Sequence, residues 1–366
     1  LRSVRRANTN SFIVVTGCYA ERDPKSISNL AEADLVLGNK NKKDLVSIIT
    51  EKFEGFESES LEQTNDEHIP KSKTRAMVKI QEGCDQVCSY CIVPKVRGRE
   101  RSIPSEIILN QILTLEKEGF NEVVLTGTQL ISYGFEYDNV DLNHLLEIIL
   151  SKSKIPRIRV SSLQPQIIDQ QFLNLWENER LCPHFHIPLQ SGSDRVLKTM
   201  KRRYNAANYK ETVNLIHSTL PQASITTDVI VGFPGESQSD FEETYNLCEN
   251  LKFSDMHVFP YSTRPGTSAW YFKHTINQNI KKDRVKSLID LSNKNAAAHR
   301  QSLLGQTREV LWEKTIRLNN TIHWSGLTDN YVRVYAKSSH DQSNKIRPTI
   351  LTSVLNNQLF GTLEES

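Results

Sequence analysis

The strongest pattern along the chain is an alternation of short apolar runs with longer amphipathic stretches, which begins near Arg75. The apolar runs are AMVKI, EVVLTG, RIRVSS, HFHIPL, ITTDVIVG and DMHVFPYS, and the stretches between them include SEIILNQILTLEKEG, LNHLLEIILSK, YKETVNLIHSTL and SDFEETYNLCENL. Short runs rich in branched apolar residues indicate strands, and apolar positions three or four residues apart indicate helices. Repeated strand-helix units predict parallel strands with right-handed crossovers. The fold class is therefore α/β, as either a doubly wound sheet or a partial barrel.

The polar residues that follow these strands favour the barrel. Glycine, serine, threonine and glutamine come just after predicted strands, at Gly127, Thr128, Ser161, Ser162, Gln190, Ser191, Gly232 and Gly235. Parallel barrels build their sites at the carboxyl ends of their strands. We therefore predict a partial (β/α)6 barrel whose functional residues lie on that rim.

Different patterns flank the barrel on both sides. Residues 1–50 contain strand-like runs at SFIVVTG and ADLVLG, each followed by a helical pattern, and predict a fragment of an N-terminal α/β domain. Residues 51–74 are charged and poor in apolar residues, which is typical of a linker. The barrel is assigned to residues 75–300. Residues 301–366 change to short strands, REVLWE, IHWSG, YVRVYA and a weaker run near NNQLFGTL, and predict a small antiparallel β-barrel.

Composition excludes several classes of protein. The chain has 366 residues and a formal net charge of +2, so any nucleic-acid binding must come from local basic clusters. No apolar run approaches the roughly 18 residues of a membrane helix, and no signal-peptide pattern leads the chain. A cytoplasmic protein without membrane contact is therefore predicted. The six cysteines do not resemble the disulfide framework of a small secreted domain.

Cysteines carry the candidate chemistry, because Cys84, Cys88 and Cys91 all fall within the segment EGCDQVCSYC. A closed zinc site normally has four protein ligands, whereas a reactive metal centre keeps one position open. Three cysteinates can hold a [4Fe-4S] cluster and leave one iron for the amino and carboxylate groups of S-adenosylmethionine. A zinc knuckle with a distant fourth ligand is the alternative. Cys182 and Cys248 are predicted to be packing residues.

The segment CDQVCSYC resembles the CxxxCxxC signature of radical S-adenosylmethionine enzymes. Five ordered blocks resemble those of the tRNA methylthiotransferases: KIQEGCDQVCSYCIVPKVRGRERSIP, EVVLTGTQLISYG, CPHFHIPLQSGSDRVLKTMKRRY, ITTDVIVGFPGESQSDFEETY and HVFPYSTRPGTSAW. CPHFHIPLQSGSD and HVFPYS are most similar to the branch that acts on N6-threonylcarbamoyladenosine at tRNA position 37. The resemblance implies that a methylthio group replaces the C2 hydrogen of this base. One S-adenosylmethionine would methylate a sulfur held at an auxiliary cluster, and a second would supply a 5′-deoxyadenosyl radical.

The resemblance also implies which residues bind the cofactor, in addition to the three cysteines as catalytic cluster ligands. Tyr90 stands at the aromatic position that packs near the adenine, although it could instead only shield the loop. Gln190 and Ser191 are predicted contacts for the ribose or carboxylate. The other predicted cofactor-binding residues are Gly127, Thr128, Ser161, Gly232 and Gly235. For the glycine-rich turns in LTGTQ and VGFPGE, a tight connection between a strand and the next helix is the alternative explanation.

A second motif lies near the start of the chain. VVTGCYAE resembles the third cysteine block of the methylthiotransferase domain, whose three cysteines hold a second iron-sulfur cluster. Cys18 is therefore a predicted metal ligand, with a role as a small buried residue at a strand end as the alternative. The resemblance places the other two ligands upstream of Leu1. We therefore expect the natural N-terminus to be missing and the auxiliary cluster to be incomplete in this chain.

Local basic clusters and the C-terminal strands bear on the partner. The clusters are Arg5 with Arg6, the segment KVRGRER (Lys95, Arg97, Arg99 and Arg101), Lys201–Arg203, and KKDR. Each alone is typical of a solvated surface, but two adjoin rim loops, where they would suit the phosphates and unstacked base of a tRNA anticodon stem-loop. The C-terminal barrel resembles a TRAM domain, the RNA-binding module of this family. An electron donor such as flavodoxin or ferredoxin is also implied.

Other functions stay open at this point. The same architecture could serve a methylthiotransferase of isopentenyladenosine tRNA or of a ribosomal protein. A non-catalytic, zinc-dependent RNA-binding protein is the alternative from a different class.

Overall fold

The computed structural model describes residues 1–52 and 74–363. The chain divides into two compact units. The first comprises Leu1–Pro70, Gly83–Gln86 and Cys91–Arg99, and the second comprises Lys71–Glu82, Val87–Tyr90 and Glu100–Ser366. Most of the predicted linker at residues 51–74 lies outside the described residues. The domain boundaries inferred from the sequence stay a prediction.

The first unit begins with a small parallel α/β arrangement. Its elements are α1 (Arg2–Ala7), β1 (Val14–Thr16), α2 (Cys18–Arg22), α3 (Pro24–Ser28), β2 (Leu35–Leu37), a 3₁₀ helix (Asn39–Asp44) and α4 (Leu45–Lys52). Strand β1 pairs in parallel with β2. Helix α3 starts where the Asp23 carboxylate accepts a hydrogen bond from the Ser26 amide, with Pro24 in the first turn. The α/β prediction for this segment is confirmed.

The following elements complete the chain as far as Ser302. They are β3 (Arg75–Lys79), β4 (Gln81–Glu82), α5 (Val93–Arg97), β5 (Arg101–Ser102), α6 (Ser105–Lys117), β6 (Glu122–Thr126), α7 (Leu142–Lys152), β7 (Arg157–Val160), α8 (Gln170–Asn174), β8 (His184–His186), α9 (Asp194–Thr199), α10 (Ala206–Thr219), β9 (Ser224–Val231), α11 (Gln238–Leu251), β10 (Asp255–Pro260) and α12 (Gln278–Ser302). Of these, α5 belongs to the first unit. Among the described residues, no helix combines the length and the apolar character needed to cross a bilayer.

Six parallel strands of the second unit form a partial barrel. Strands β3, β6 and β7 make one parallel sheet, and β8, β9 and β10 make another. Between the two sheets, Ile158 in β7 forms a parallel bridge with Leu181, just before β8. The strands follow one another in chain order, whereas a doubly wound sheet reverses its order at a switch point. The predicted (β/α)6 barrel is therefore confirmed.

Alternation along β9 shows how the barrel separates its core from its interior. Ile225, Val229 and Val231 are buried in the main apolar core, together with Tyr209 and Ile216 of α10. Thr226, Asp228 and Ile230 point to the opposite face of the strand, and these residues line cavities. Since side chains alternate between the two faces of a strand, the inward face is free to carry polar groups.

After α12 the chain forms a closed five-stranded barrel. Its strands are β11 (Thr307–Leu318), β12 (Thr321–Thr328), β13 (Arg333–Ala336), β14 (Ile346–Leu355) and β15 (Gln358–Leu363), in the order β11-β12-β13-β15-β14. The small C-terminal barrel is thus confirmed, with two corrections. Strand β14 was missed because Pro348 and scattered polar residues break its pattern, and β13 pairs with β15 in parallel rather than antiparallel. Asn356 and Asn357, both with positive φ, form the tight turn that joins β14 to β15.

Candidate active site

The first-unit part of the cysteine segment is held by its own backbone. Cys84 is buried, and its amide donates to the Gly98 carbonyl at 3.2 Å. The Gln86 amide lies 3.4 Å from Cys84 Sγ. Gly83 has a φ of +78°, and a Cβ there would lie 2.0 Å from the Arg99 carbonyl oxygen, so only glycine fits. The turn therefore presents one sulfur together with an N–H donor.

The second-unit part of the segment is anchored to the barrel on both sides. The Ser89 amide donates to the Met200 carbonyl at 3.0 Å, and the Ser89 carbonyl accepts from the Ala269 amide at 2.7 Å. Arg202 Nη1 lies 3.5 Å from Cys88 Sγ. Burial alone would lower the pKa of the Arg202 guanidinium, but neighbouring groups that include Cys88 raise it overall. A permanent positive charge thus lies beside the Cys88 sulfur.

A cavity of about 360 Å³ opens at the carboxyl ends of β9 and β10. Its lining residues, which define the upper cavity, are Tyr90, Gln190, Asp228, Ile230, Phe259, Pro260, Tyr261, Ser262 and Arg264. The Tyr90 ring packs edge-on against Phe233, with ring centres 6.5 Å apart. Two of the predicted cofactor-binding residues, Tyr90 and Gln190, therefore meet in one cavity with aromatic, hydroxyl, carboxylate and guanidinium groups.

Gln190 reaches this cavity through an unusual backbone conformation. Its φ is +65°, in the left-handed region that costs a residue with a Cβ about 1–2 kcal/mol. Two hydrogen bonds to β9 hold it there, from the Gln190 amide to the Asp228 carbonyl at 2.8 Å and from the Ile230 amide to the Gln190 carbonyl at 2.9 Å. Strained residues that the surrounding structure fixes are concentrated at functional sites. This geometry supports a binding role for Gln190.

The Gly127–Thr128 turn and Ser191 form hydrogen bonds and packing contacts within the protein. Gln81 Oε1 accepts a hydrogen bond from the Thr128 amide at 3.0 Å, and a Cβ at Gly127 would lie 2.6 Å from Leu130 Cδ2. The Ser191 hydroxyl is buried 3.2 Å from that of Thr244. These contacts agree with the alternative explanation of tight turns, and a cofactor role for these residues stays a prediction.

The Gly232–Glu236 turn is likewise built around an internal ion pair. Glu236 accepts a hydrogen bond from the Gly232 amide at 2.6 Å and pairs with Arg284, and both charged side chains are buried. Burial raises the pKa of the Glu236 carboxyl, although Arg284 and the Gly232 amide oppose the shift. The Gly235 amide donates to the His274 carbonyl at 2.7 Å. Cofactor contacts by Gly232 and Gly235 therefore stay a prediction.

A second cavity, of about 500 Å³, is lined by the barrel interior, α12 and the C-terminal barrel. Its lining residues, which define the lower cavity, are Arg75, Met77, Val124, Thr126, Arg159, Val160, Ser161, Ser162, His184, His186, Thr226, Ser254, Asp255, His257, Ala296, His299, Arg300, Leu327, Tyr331, Val332 and Arg333. Arg159 Nε lies 2.9 Å from the buried Glu122 carboxylate, and its guanidinium lies 4.9 Å from the Tyr331 ring centre. The structure thus places the predicted Ser161 in this cavity and not in the upper one.

Comparison with known proteins identifies the family to which the chain belongs. The family model of the Radical SAM superfamily matches residues 78–248. The threonylcarbamoyladenosine tRNA methylthiotransferase MtaB of Aquifex aeolicus is 37% identical over 94% of this chain and 85% of its own length. This chain belongs to the tRNA methylthiotransferase family. MtaB of Bacillus subtilis is 35% identical over 94% of this chain and 79% of its own length. A tRNA-2-methylthio-N(6)-dimethylallyladenosine synthase of Pelotomaculum thermopropionicum is 36% identical over 86% and 73%, respectively.

Radical methylthiotransferases use [4Fe-4S] clusters and S-adenosylmethionine, and the residues present fit these groups. Cys84, Cys88 and Cys91 provide three sulfurs, and none of them forms a disulfide in the described chain. N–H groups directed at cysteine sulfurs, as at Cys84 and Cys88, are typical of cluster ligands. The upper cavity offers rings for an adenine and polar groups for a ribose and an amino acid. Assignment of individual ligands stays a prediction.

The remaining cysteines of this methylthiotransferase occupy two kinds of environment. Cys18, at the start of α2, is half-buried, with Arg97 Nε at 3.2 Å and Asn39 Nδ2 at 3.7 Å from its sulfur. Two N–H donors on a half-buried thiol agree better with the predicted metal ligand than with a packing role. Cys182 and Cys248 are buried, and burial raises the pKa of each thiol to about 12. Such thiols are inert, as expected of packing residues.

One predicted basic cluster of the methylthiotransferase needs a correction. In KKDR, Lys281 and Arg284 are buried, because they face the Gly232–Glu236 turn and Tyr261 from α12. They therefore contribute no charge to an RNA-binding surface. Arg99 and Arg101 lie at the surface and pair with acidic residues near the cysteine segment.

Sequence reasoning missed several polar residues of the methylthiotransferase barrel. Asp228 and Arg264 line the upper cavity, and His186 and His257 line the lower one. For Asp228, His186 and His257 the signal lies in the alternation of polar and apolar residues along β8, β9 and β10, whereas the predicted residues follow the strands. Arg264 follows β10 and carries no such signal.

Proposed function

We propose that this enzyme replaces the C2 hydrogen of N6-threonylcarbamoyladenosine at position 37 of a tRNA anticodon stem-loop with a methylthio group. Relatives that carry this activity in their names support the assignment. The observation that carries the choice of base is the lining of the lower cavity, which sets hydroxyl, imidazole and guanidinium groups among apolar side chains. A threonylcarbamoyl group has hydroxyl, carbonyl and carboxylate oxygens that can pair with such groups.

Dimethylallyladenosine is the second candidate base, since a synthase named for it is 36% identical to this chain. Its substituent is a hydrocarbon. It can form none of the hydrogen bonds that the hydroxyl, imidazole and guanidinium groups of the lower cavity can offer. The cavity lining therefore favours the threonylcarbamoyl group.

Each residue has a distinct role in the proposed reaction. Cys84, Cys88 and Cys91 would hold the cluster, which would supply the electron for cleavage of S-adenosylmethionine. The Arg202 guanidinium stabilises negative charge on Cys88, and Tyr90 orients the adenine in the upper cavity. The barrel walls limit access of water to the reacting carbon. Flavodoxin or ferredoxin is the proposed electron donor.

Nucleoside analysis tests this function. In tRNA from a strain that lacks the gene, the 2-methylthio derivative of N6-threonylcarbamoyladenosine should disappear while its precursor accumulates. A copy of the natural gene should restore the derivative, and the same copy with Cys88→Ala should not. Loss of the dimethylallyl derivative instead, or no change in either nucleoside, would contradict the assignment.

A further inference from the structure

The pairing of β8, β9 and β10 places three metal-ligating side chains next to one another. His257 in β10 is the register partner of Asp228 in β9, and His186 in β8 is the partner of Thr226, two residues before Asp228. Residues two apart on a strand share a face. His186, Thr226 and His257 line the lower cavity, and Asp228 lines the upper one. The face that these residues share is therefore the barrel interior.

The donor atoms of this group are close enough to share one ion. His186 Nε2 lies 3.3 Å from Asp228 Oδ2, and His257 Nδ1 lies 3.1 Å from Asp228 Oδ1. Donor atoms of the three residues all lie within 4.8 Å of one another. A metal ion about 2.0–2.2 Å from each nitrogen and oxygen ligand holds neighbouring donors at separations near 3 Å. Little movement of the side chains is therefore needed.

We propose that His186, Asp228 and His257 form a binding site for one divalent transition-metal ion inside the barrel. Two imidazoles and one carboxylate suit zinc, iron(II), cobalt(II) or nickel(II) better than magnesium or calcium, which prefer oxygen ligands. The site shares no residue with the cluster cysteines, and its two histidines line the lower cavity in which the proposed base is placed. Asp228 faces the upper cavity and both histidines face the lower one, so the remaining coordination positions open onto space where a ligand can enter.

A second layer of contacts orients the site. His186 Nδ1 lies 2.9 Å from the Thr226 hydroxyl, which also lies 3.0 Å from His184 Nε2. A histidine that binds metal through one ring nitrogen normally donates the N–H of the other nitrogen to such a partner. The Thr226 hydroxyl can accept that bond and donate to His184 Nε2.

Charges around the site are compatible with a bound cation. Asp228 carries the one carboxylate of the group. The His186 side chain is 14% exposed, the Asp228 side chain 26%, and the His257 side chain 56%. The site is therefore reachable by an ion from solution.

Cobalt(II) is a suitable probe, because its visible absorption reports its ligands. The whole 366-residue chain is used with Cys18, Cys84, Cys88 and Cys91 replaced by serine, so that these thiolates cannot bind the ion. The proposal predicts that one cobalt(II) ion per chain remains after dialysis, as measured by metal analysis. His257→Ala and Asp228→Asn should each lose it, while His340→Ala, which removes an exposed histidine from the C-terminal barrel, should keep it.

Thr226→Val provides a graded test of the second layer. Loss of such a contact typically weakens metal affinity by about 10- to 100-fold, and the thermal unfolding midpoint of each variant without metal shows whether the fold is kept. Retention of cobalt(II) by the His257→Ala and Asp228→Asn chains, or its absence from the parent chain, would overturn the proposal. A folded parent chain without the ion would mean that the three side chains only hydrogen-bond to one another.

Discussion

Replacement of Gln190 by glycine should separate fold stability from cofactor binding. The left-handed backbone at this position destabilises the folded state by about 1–2 kcal/mol for a residue with a Cβ, and glycine removes this strain. Glycine also makes the unfolded chain more flexible, which lowers the free energy of unfolding by about 0.5–1 kcal/mol. Because the variant also loses the packing of a nearly buried side chain, the free energy of unfolding should change by no more than about 1 kcal/mol. The cofactor should lose one hydrogen bond, worth about 0.5–1.5 kcal/mol, and bind about 2- to 10-fold more weakly.

Lys252→Gly is the matched control. Lys252 also has a positive φ, but it is exposed at the C-terminus of α11, away from both cavities. It should show the same small change in stability and no change in affinity. Urea unfolding measures the first quantity, and anaerobic equilibrium dialysis of the reconstituted protein with S-adenosylmethionine measures the second. Equal affinities of the Gln190→Gly and parent proteins would refute the role of Gln190, as would an equal loss in the control.

Two further predictions concern the turn after β9. Arg284→Met should lower the free energy of unfolding by about 3–5 kcal/mol, because it leaves the buried Glu236 carboxylate without its partner. Burial raises the folded-state pKa of Glu236, so this deficit should shrink as the pH falls towards 4.5 and the carboxyl becomes protonated; a deficit that grows at acid pH would contradict the argument. Lys286→Met, on the exposed face of α12, should stay within about 0.5 kcal/mol in urea unfolding. Gly232→Ala should destabilise more than Gly235→Ala in the same assay, because both have positive φ but only the first new Cβ meets another side chain, at 2.4 Å; equal losses would refute this crowding.

The barrel strands could be predicted because each one carries a compact apolar run. The outward residues of β9, such as Val229 and Val231, must be buried, and this requirement is local to the sequence. Strand β14 escaped prediction because Pro348 interrupts its pattern, while its pairing with β11, where Pro348 lies opposite Glu309, is set within the closed C-terminal barrel. That pairing depends on residues far away in the chain, and no short window contains it.

Some residues of the site can likewise be predicted from their neighbours in the sequence, whereas others depend on tertiary contacts. Gln190 could be identified from its place after a strand, where a plain turn has no need of a glutamine. Its neighbour Ser191 follows the same strand, yet its hydroxyl is buried against that of Thr244, which lies 53 residues further along the chain. Asp228 and His257 become neighbours only once the register of β9 and β10 is set. Strand register depends on tertiary packing, so their proximity could not be read from the sequence.

The most direct test of the account is the spectrum of the anaerobically reconstituted protein. With Cys84, Cys88 and Cys91 as ligands, the reduced protein should show the electron paramagnetic resonance signal of a [4Fe-4S] cluster, and S-adenosylmethionine should change that signal. The same sample should release 5′-deoxyadenosine, and Cys88→Ala should abolish both effects while Cys248→Ala keeps them. A cluster signal that does not respond to S-adenosylmethionine, or equal cofactor cleavage by the Cys88→Ala protein, would contradict the account.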